Sequence, residues 1–145
     1  MQFNYLPTLR AQLALNRHDP SKAIEALKVA AAYELGTPGN SEFSLDLYPV
    51  YVRGKALLTL HQGSEAAAEF QKILDWPGVV QSGPIGALAH LEIARAFAHA
   101  GNTDKSLAQY KEFLTLWKNA DADLRPLKDA KAEYKKLSDG SSSPP

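Results

Sequence analysis

Residues 87–118 read Ala-Leu-Ala-His-Leu-Glu-Ile-Ala-Arg-Ala-Phe-Ala-His-Ala, then Gly101-Asn102-Thr103-Asp104, then Lys-Ser-Leu-Ala-Gln-Tyr-Lys-Glu-Phe-Leu-Thr-Leu-Trp-Lys. In the first half Leu88, Leu91, Ala94 and Ala98 step by three and four, and Ile93 and Phe97 widen the stripe. That is the period of a helix, not of a strand. Gly101 to Asp104 breaks the pattern, and Leu107, Tyr110, Phe113, Leu114 and Trp117 resume it. Two amphipathic helices joined by so short a turn pack antiparallel, because each has an apolar face to bury.

The same unit recurs toward the amino terminus. Second helices read Ser-Lys-Ala-Ile-Glu-Ala-Leu from Ser21, Ser-Glu-Ala-Ala-Ala-Glu-Phe from Ser64 and Asp-Lys-Ser-Leu-Ala-Gln-Tyr from Asp104. Ala23, Ala66 and Ser106 superpose, as do Leu27, Phe70 and Tyr110. A small residue lets two helices approach, and a large one a turn later fills the gap. The first helices superpose with Ala11, Ala56 and Ala94 at the close contact, and the turns fall near His18, at Gly63 and at Gly101.

Ile93-Ala94, Phe97, Gly101, Leu107, Tyr110 and Leu114 make this unit resemble a tetratricopeptide repeat. The resemblance implies an all-α superhelix of three antiparallel pairs, at about 4–35, 49–77 and 87–118, closed by a capping helix at about 123–137. The domain then spans 3–137, and 138–145 is a disordered tail. The spacing from Ala23 to Ala66 and on to Ser106 exceeds the ~34-residue period of that repeat and approaches the ~40–47 of HEAT-type pairs, the structural competitor. Other departures are Arg10 and Lys55 in place of leucine-like residues, Ser106 for alanine, and a turn two residues short after Gly63. More narrowly, Tyr51-Val-Arg-Gly-Lys-Ala-Leu-Leu58 and Ala130-Lys-Ala-Glu-Tyr-Lys-Lys-Leu137 are similar to the carboxyl-terminal repeat region of some bacterial Ser/Thr protein kinases and related multidomain regulators. The kinase motifs themselves, a Gly-rich phosphate loop, His-Arg-Asp and Asp-Phe-Gly, do not occur in the sequence.

Taken in order, Tyr5, Leu6, Leu9, Leu13 and Leu15 give the apolar side of a helix over 3–17, with Pro7 in its first turn. Asp19 or Ser21 caps the second helix, which runs through Ala30, Ala31 and Tyr33 to Gly36. Residues 36–48 form a long connection pinned by Phe43, Leu45 and Leu47. Val52, Ala56, Leu57 and Leu60 define a third helix, and Ala66, Ala67, Phe70, Ile73 and Leu74 a fourth that stops at Trp76-Pro77-Gly78. A connection from Val79 to Gly83 includes the candidate cap Ser82. Asp123 caps the last helix, with Leu124, Leu127, Ala130, Tyr134 and Leu137 inward and Lys128, Lys131, Lys135 and Lys136 on a solvated outer side. Trp76, Trp117, Phe97 and Tyr110 are read as core.

Sixteen basic residues balance sixteen acidic ones, which argues against bulk attraction to nucleic acid or an anionic membrane. The chain has no cysteine, which excludes disulfides and thiolate metal sites. No apolar run approaches a membrane span, and Met1-Gln2-Phe3-Asn4-Tyr5 lacks the charged and apolar regions expected of a signal peptide. The expectation is a soluble, cytoplasmic segment cut from a longer protein, with no membrane contact of its own. No cofactor or metal is expected: the four histidines make no metal motif, and His90, His99 and Glu92 lack ligand spacing. No nucleophile motif occurs either, so the chain is read as no enzyme.

The repeat resemblance places a partner in the concave groove lined by first helices. The candidates are Gln12, Arg53, Leu57, His61, Leu91, Arg95 and His99. The co-chaperone clamp of Lys, Asn and Arg is absent, since Thr8, Gln12, Gly54, Leu88 and Glu92 occupy its places. Arg53 and Arg95 either anchor an acidic peptide by guanidinium forks or pair with neighbouring glutamates. The leading expectation is a non-catalytic scaffold that binds a peptide or protein segment within a larger signalling protein. The alternatives are a self-association module forming a homodimer, and a small-ligand binder or enzyme around Tyr51, His90 and Arg95.

Overall fold

Three turns of one kind set the architecture. The structure, a computed structural model, describes residues 5–35, 47–80 and 84–141. Among these residues there are eight α-helices and no strand: α1 (Tyr5–Asn16), α2 (Pro20–Leu27), α3 (Tyr48–Thr59), α4 (Gly63–Asp75), α5 (Pro77–Val80), α6 (Pro84–His99), α7 (Thr103–Leu116) and α8 (Arg125–Ser141). The pairs α1/α2, α3/α4 and α6/α7 are antiparallel hairpins. The helix α3 packs on both helices of the first pair, α6 on both of the second, and α8 on α7.

The hairpins turn at His18 (φ 59°), His61 (φ 58°) and Gly101 (φ 76°). Each of these left-handed residues donates its N–H three residues back, to Leu15, Leu58 and Ala98 at 2.9, 2.9 and 3.1 Å. The residue after it donates five back, from Asp19, Gln62 and Asn102 to Ala14, Leu57 and Phe97 at 2.9, 2.9 and 2.8 Å. This is the Schellman arrangement, and it satisfies carbonyls that the ending helix leaves open. The same following residue is the cap of the next helix; at Asp19 the carboxylate also accepts from the Lys22 N–H at 3.0 Å.

This geometry corrects the register of the middle pair. The pivot is His61, not Gly63, which is already the first residue of α4. Gly63 is needed for close approach: a Cβ there would stand 2.6 Å from the Ala96 carbonyl oxygen. With His61 set against His18 and Gly101, the residue equivalent to Ala11 and Ala94 is Gly54 rather than Ala56, and the two-residue deficit disappears. A Cβ on Gly54 would lie 2.6 Å from the Phe70 ring.

The small-then-large pattern of the second helices is realised in the core. Ala23, Ala66 and Ser106 are buried, and so are Leu27, Phe70 and Tyr110. The Ser106 hydroxyl donates to the Ala94 carbonyl at 2.7 Å, so serine replaces alanine without an unpaired polar group.

Other expectations change. α2 ends at Leu27 and continues through tightened turns with a 3₁₀ segment at Ala31–Tyr33, bringing Glu34 in against Arg53. Trp76 is 49% exposed, and Trp117 is half-buried against Phe113. α5 occupies part of the expected connection after Trp76. Asp123 does not cap α8; its carboxylate takes the Lys128 ammonium at 2.9 Å, and the Leu124 carbonyl receives the first helical N–H groups. Leu124 is itself exposed. α8 runs through Gly140, so residues 138–141 are helix rather than tail. In α1 the buried side is Pro7, Thr8, Ala11 and Ala14, whereas Tyr5, Leu6, Leu9 and Leu13 are exposed. The expectations for Gly36, Phe43, Leu45, Ser82 and residues 142–145 lie outside the described residues.

Gly54→Ala should destabilise the fold by about 1–3 kcal/mol, the usual cost of overpacking. The Phe70→Leu change should cost less in the Gly54→Ala background than alone, measured by urea denaturation of the double-mutant cycle. His61→Gly should raise stability by roughly 0.5–1 kcal/mol in the same assay, because glycine takes positive φ without the Cβ clash.

Candidate functional site

The first helices of successive units, α3 and α6, together with α7 and α8 enclose an open cleft of about 610 Å³. Leu58, Ala98 and Leu137 supply its apolar surface, and Arg95, His99, Glu133 and Lys136 its charged or polar groups. Each is placed by helical spacing: Arg95 and His99 lie one turn apart on α6, and Glu133, Lys136 and Leu137 fall within about one turn of α8.

Arg95 does not stand free in this cleft. Its Nε and Nη2 donate to Glu133 at 2.9 and 2.8 Å, a two-pronged contact from α6 to α8. Its Nη1 donates to Glu92 at 3.1 Å. Glu92, buried on α6, also accepts from the Tyr51 hydroxyl at 3.3 Å, and Glu133 accepts from the Tyr110 hydroxyl at 2.8 Å. Burial works against the charge of Arg95, but the carboxylates of Glu133 and Glu92 more than offset it and keep the guanidinium protonated. Burial likewise opposes the Glu133 anion, yet the bonds from Arg95 and Tyr110 prevail and hold its pKa below the usual value. Burial and the nearby carboxylates push both tyrosine hydroxyls up, so they remain donors.

Arg53 belongs to a different network. Its Nη1 and Nη2 grip both oxygens of Glu34 at 2.6 and 2.9 Å, and Nε and Nη2 hold Glu69 at 3.0 and 2.8 Å. Lys72 completes the group on Glu69 at 2.6 Å. This smaller cleft, lined also by Ile24, Lys28 and Ala31, shares no residue with the first. The two arginines therefore do not line one groove, and each is engaged by glutamates.

The remaining groove candidates divide. His99 lines the main cleft, and the His61 ring lies beside it, centroids 5.6 Å apart. Leu91, on α6, is buried in the core shared with α7 and α8, and Leu57 is half-buried against the middle core. Gln12 donates to Asn16 at 3.0 Å, one turn along α1. His90 faces Gln109 on α7 at 2.8 Å, away from both His99 and Glu92. Among the described residues no three His, Cys, Asp or Glu side chains are grouped to hold a metal ion. No helix there is long and apolar enough to cross a membrane.

The sequence reading missed Glu34, Glu133, Lys136, Leu58 and Leu137 as members of these clefts. No local signal marks them, because Arg95 and Glu133 are 38 positions apart and Arg53 and Glu34 are 19 apart. Comparisons with protein-family models, with curated proteins and with solved structures find no match.

Arg53→Ala leaves two largely buried carboxylates facing each other. It should cost about 3–5 kcal/mol in denaturant unfolding, with Arg53→Lys also impaired because an ammonium cannot reproduce the fork. Glu133→Gln tests the other network through pH. Since the folded-state pKa of Glu133 lies below its ordinary 4.5, its stabilising contribution is whole above that pH and is lost as pH falls through the folded value. The stability gap between the parent chain and Glu133→Gln should be constant from neutrality down to pH 4.5 and narrow below it, as read from unfolding curves at stepped pH.

Proposed function

We propose that this chain is a non-catalytic scaffold, a tetratricopeptide-like superhelix whose groove docks a peptide or protein segment. The observation that carries this reading is the main cleft, whose walls come from α3 and α6, the first helices of two consecutive pairs, and from α7 and α8. A groove of this kind arises when paired helices stack with a small rotation from unit to unit. The placement of the chain in a larger signalling protein rests on the sequence resemblance alone.

The chemistry of the cleft favours one kind of occupant. Leu58, Ala98 and Leu137 offer a site for one apolar side chain. Arg95 is shared between Glu133 and Glu92, which leaves Lys136, without an ion pair among the described residues, and His99 as the groups able to meet an added carboxylate. The segment is thus an apolar side chain with a neighbouring carboxylate. Its affinity comes from a few anchors rather than from the whole contact surface.

A random-peptide display library selected on the immobilised chain tests this. Enriched peptides should share an apolar residue next to Asp or Glu, and should shift the amide resonances of Leu58, Ala98, His99 and Leu137 in the labelled chain. Leu58→Glu should weaken binding about tenfold or more, equivalent to ~1.4 kcal/mol, and Lys136→Glu should select against the acidic residue. Enriched peptides that bind with unchanged affinity to both variants would refute the assignment.

A further inference from the structure

Two imidazoles meet where the first helices of consecutive pairs end. His61 follows α3, and His99 closes α6. Their ring centroids lie 5.6 Å apart, with the planes at 39°. Both residues are exposed, and neither ring has a hydrogen-bond or ion-pair partner among the described residues. The backbone fixes their approach: a Cβ at Gly63 would stand 3.1 Å from the His99 Cβ, so the turn after His61 lies against the last turn of α6. The other two histidines are placed differently. His90 faces Gln109 at 2.8 Å. His18 holds the turn of the first pair, but the place that His99 takes in the third pair is taken by Thr59 in the second.

We infer that His61 and His99 form a two-histidine site for a late first-row divalent cation such as Zn²⁺, with water in the remaining positions. Imidazole suits Zn²⁺, Ni²⁺ and Cu²⁺, whereas Mg²⁺ and Ca²⁺ take oxygen ligands. An ion about 2.0–2.1 Å from a nitrogen of each ring, at a tetrahedral angle, sets two imidazole centroids roughly 5–5.5 Å apart. The 5.6 Å separation here needs only a small adjustment of two exposed side chains to reach that range. The surrounding field also favours a cation. α3 and α6 both present their carboxyl ends at this point, and a helix carboxyl end carries a partial negative charge. The last turn of α3 holds no basic residue to meet it, and that of α6 holds only His99. Glycine takes the backbone angle of His61 more readily, as Gly101 does at its own turn, so the imidazole gives that position a use glycine lacks. Two protein ligands make a weaker site than the four of a structural zinc site, and the bound ion ties the second helix pair to the third. This inference stands apart from the peptide-docking reading.

The test titrates the whole chain with Zn²⁺ near neutral pH and follows its amide resonances, with Cu²⁺ as a paramagnetic probe of position. Zn²⁺ should shift the resonances around His61 and His99 together, with one dissociation constant, and should raise the Tm once its concentration exceeds that constant. Cu²⁺ should broaden the same two segments first and bind more tightly than Zn²⁺. Mg²⁺ should do neither. His61→Asn is chosen because asparagine tolerates the left-handed angle. It and His99→Gln should each weaken Zn²⁺ binding by about tenfold or more, equivalent to ~1.4 kcal/mol, and the double variant should bind little worse than either. His18→Asn and His90→Gln should bind as the parent does. Four results would overturn the inference. One is no shift at millimolar Zn²⁺, and another is an affinity unchanged in His61→Asn or in His99→Gln. The third is shifts or broadening centred on His18, His90 or the amino terminus. The fourth is a dimer by light scattering that forms on adding Zn²⁺, which would assign the ion to two chains.

Discussion

One backbone constraint recurs three times and orders everything else: a single residue in the left-handed conformation at His18, His61 and Gly101. With φ positive at that point, the N–H of that residue and the N–H of the next both close onto the ending helix, and the next residue caps a new one. The exit direction is then fixed, so the second helix meets the first at a constant register. Five residues past the turn the close contact is always small, at Ala23, Ala66 and Ser106, and four residues later it is large, at Leu27, Phe70 and Tyr110. Packing at interior density follows from that alternation. Gly54 stands where a Cβ would collide with the Phe70 ring inside the middle pair, and Gly63 where one would collide with the backbone of α6 in the next.

Stacking of the pairs is apolar in its centre and ionic at its margins. Arg53 on α3 joins Glu34, beyond α2, to Glu69 on α4. Arg95 on α6 joins Glu133 on α8 and, through Glu92, reaches Tyr51 on α3. Both arginines thus bridge consecutive layers instead of decorating one. A guanidinium suits this work because it is planar, always charged and able to fork between two carboxylates. The same engagement removes them as free anchors, and in the main cleft it leaves Lys136 and His99 beside the apolar surface of Leu58, Ala98 and Leu137.

A place on a first helix does not by itself bring two residues to one cleft. Arg53 and Arg95 both sit on first helices, but they are not equivalent: measured from the turn, Arg53 matches Ile93, and Arg95 matches Lys55. The two-residue error in the middle pair arose from taking Gly63 for the turn residue. Glycine signals positive φ most of the time, but here histidine carries the left-handed angle and the glycine serves close packing. Likewise the leucines of α1 were assigned inward because they are its largest apolar residues, whereas contact with α2 requires the small ones, Ala11 and Ala14.

Periodicity, turn residues and the small-then-large repeat determined from the chain alone that the domain is helical, that its helices come in antiparallel pairs, and roughly where each pair lies. Those are local properties, set by side-chain spacing within a few turns. Which side of a helix is inward, which charges meet and where a cleft opens were decided only by the tertiary structure. They depend on how one set of helices packs on the next, and that packing brings together residues such as Arg95 and Glu133 that no short-range pattern connects.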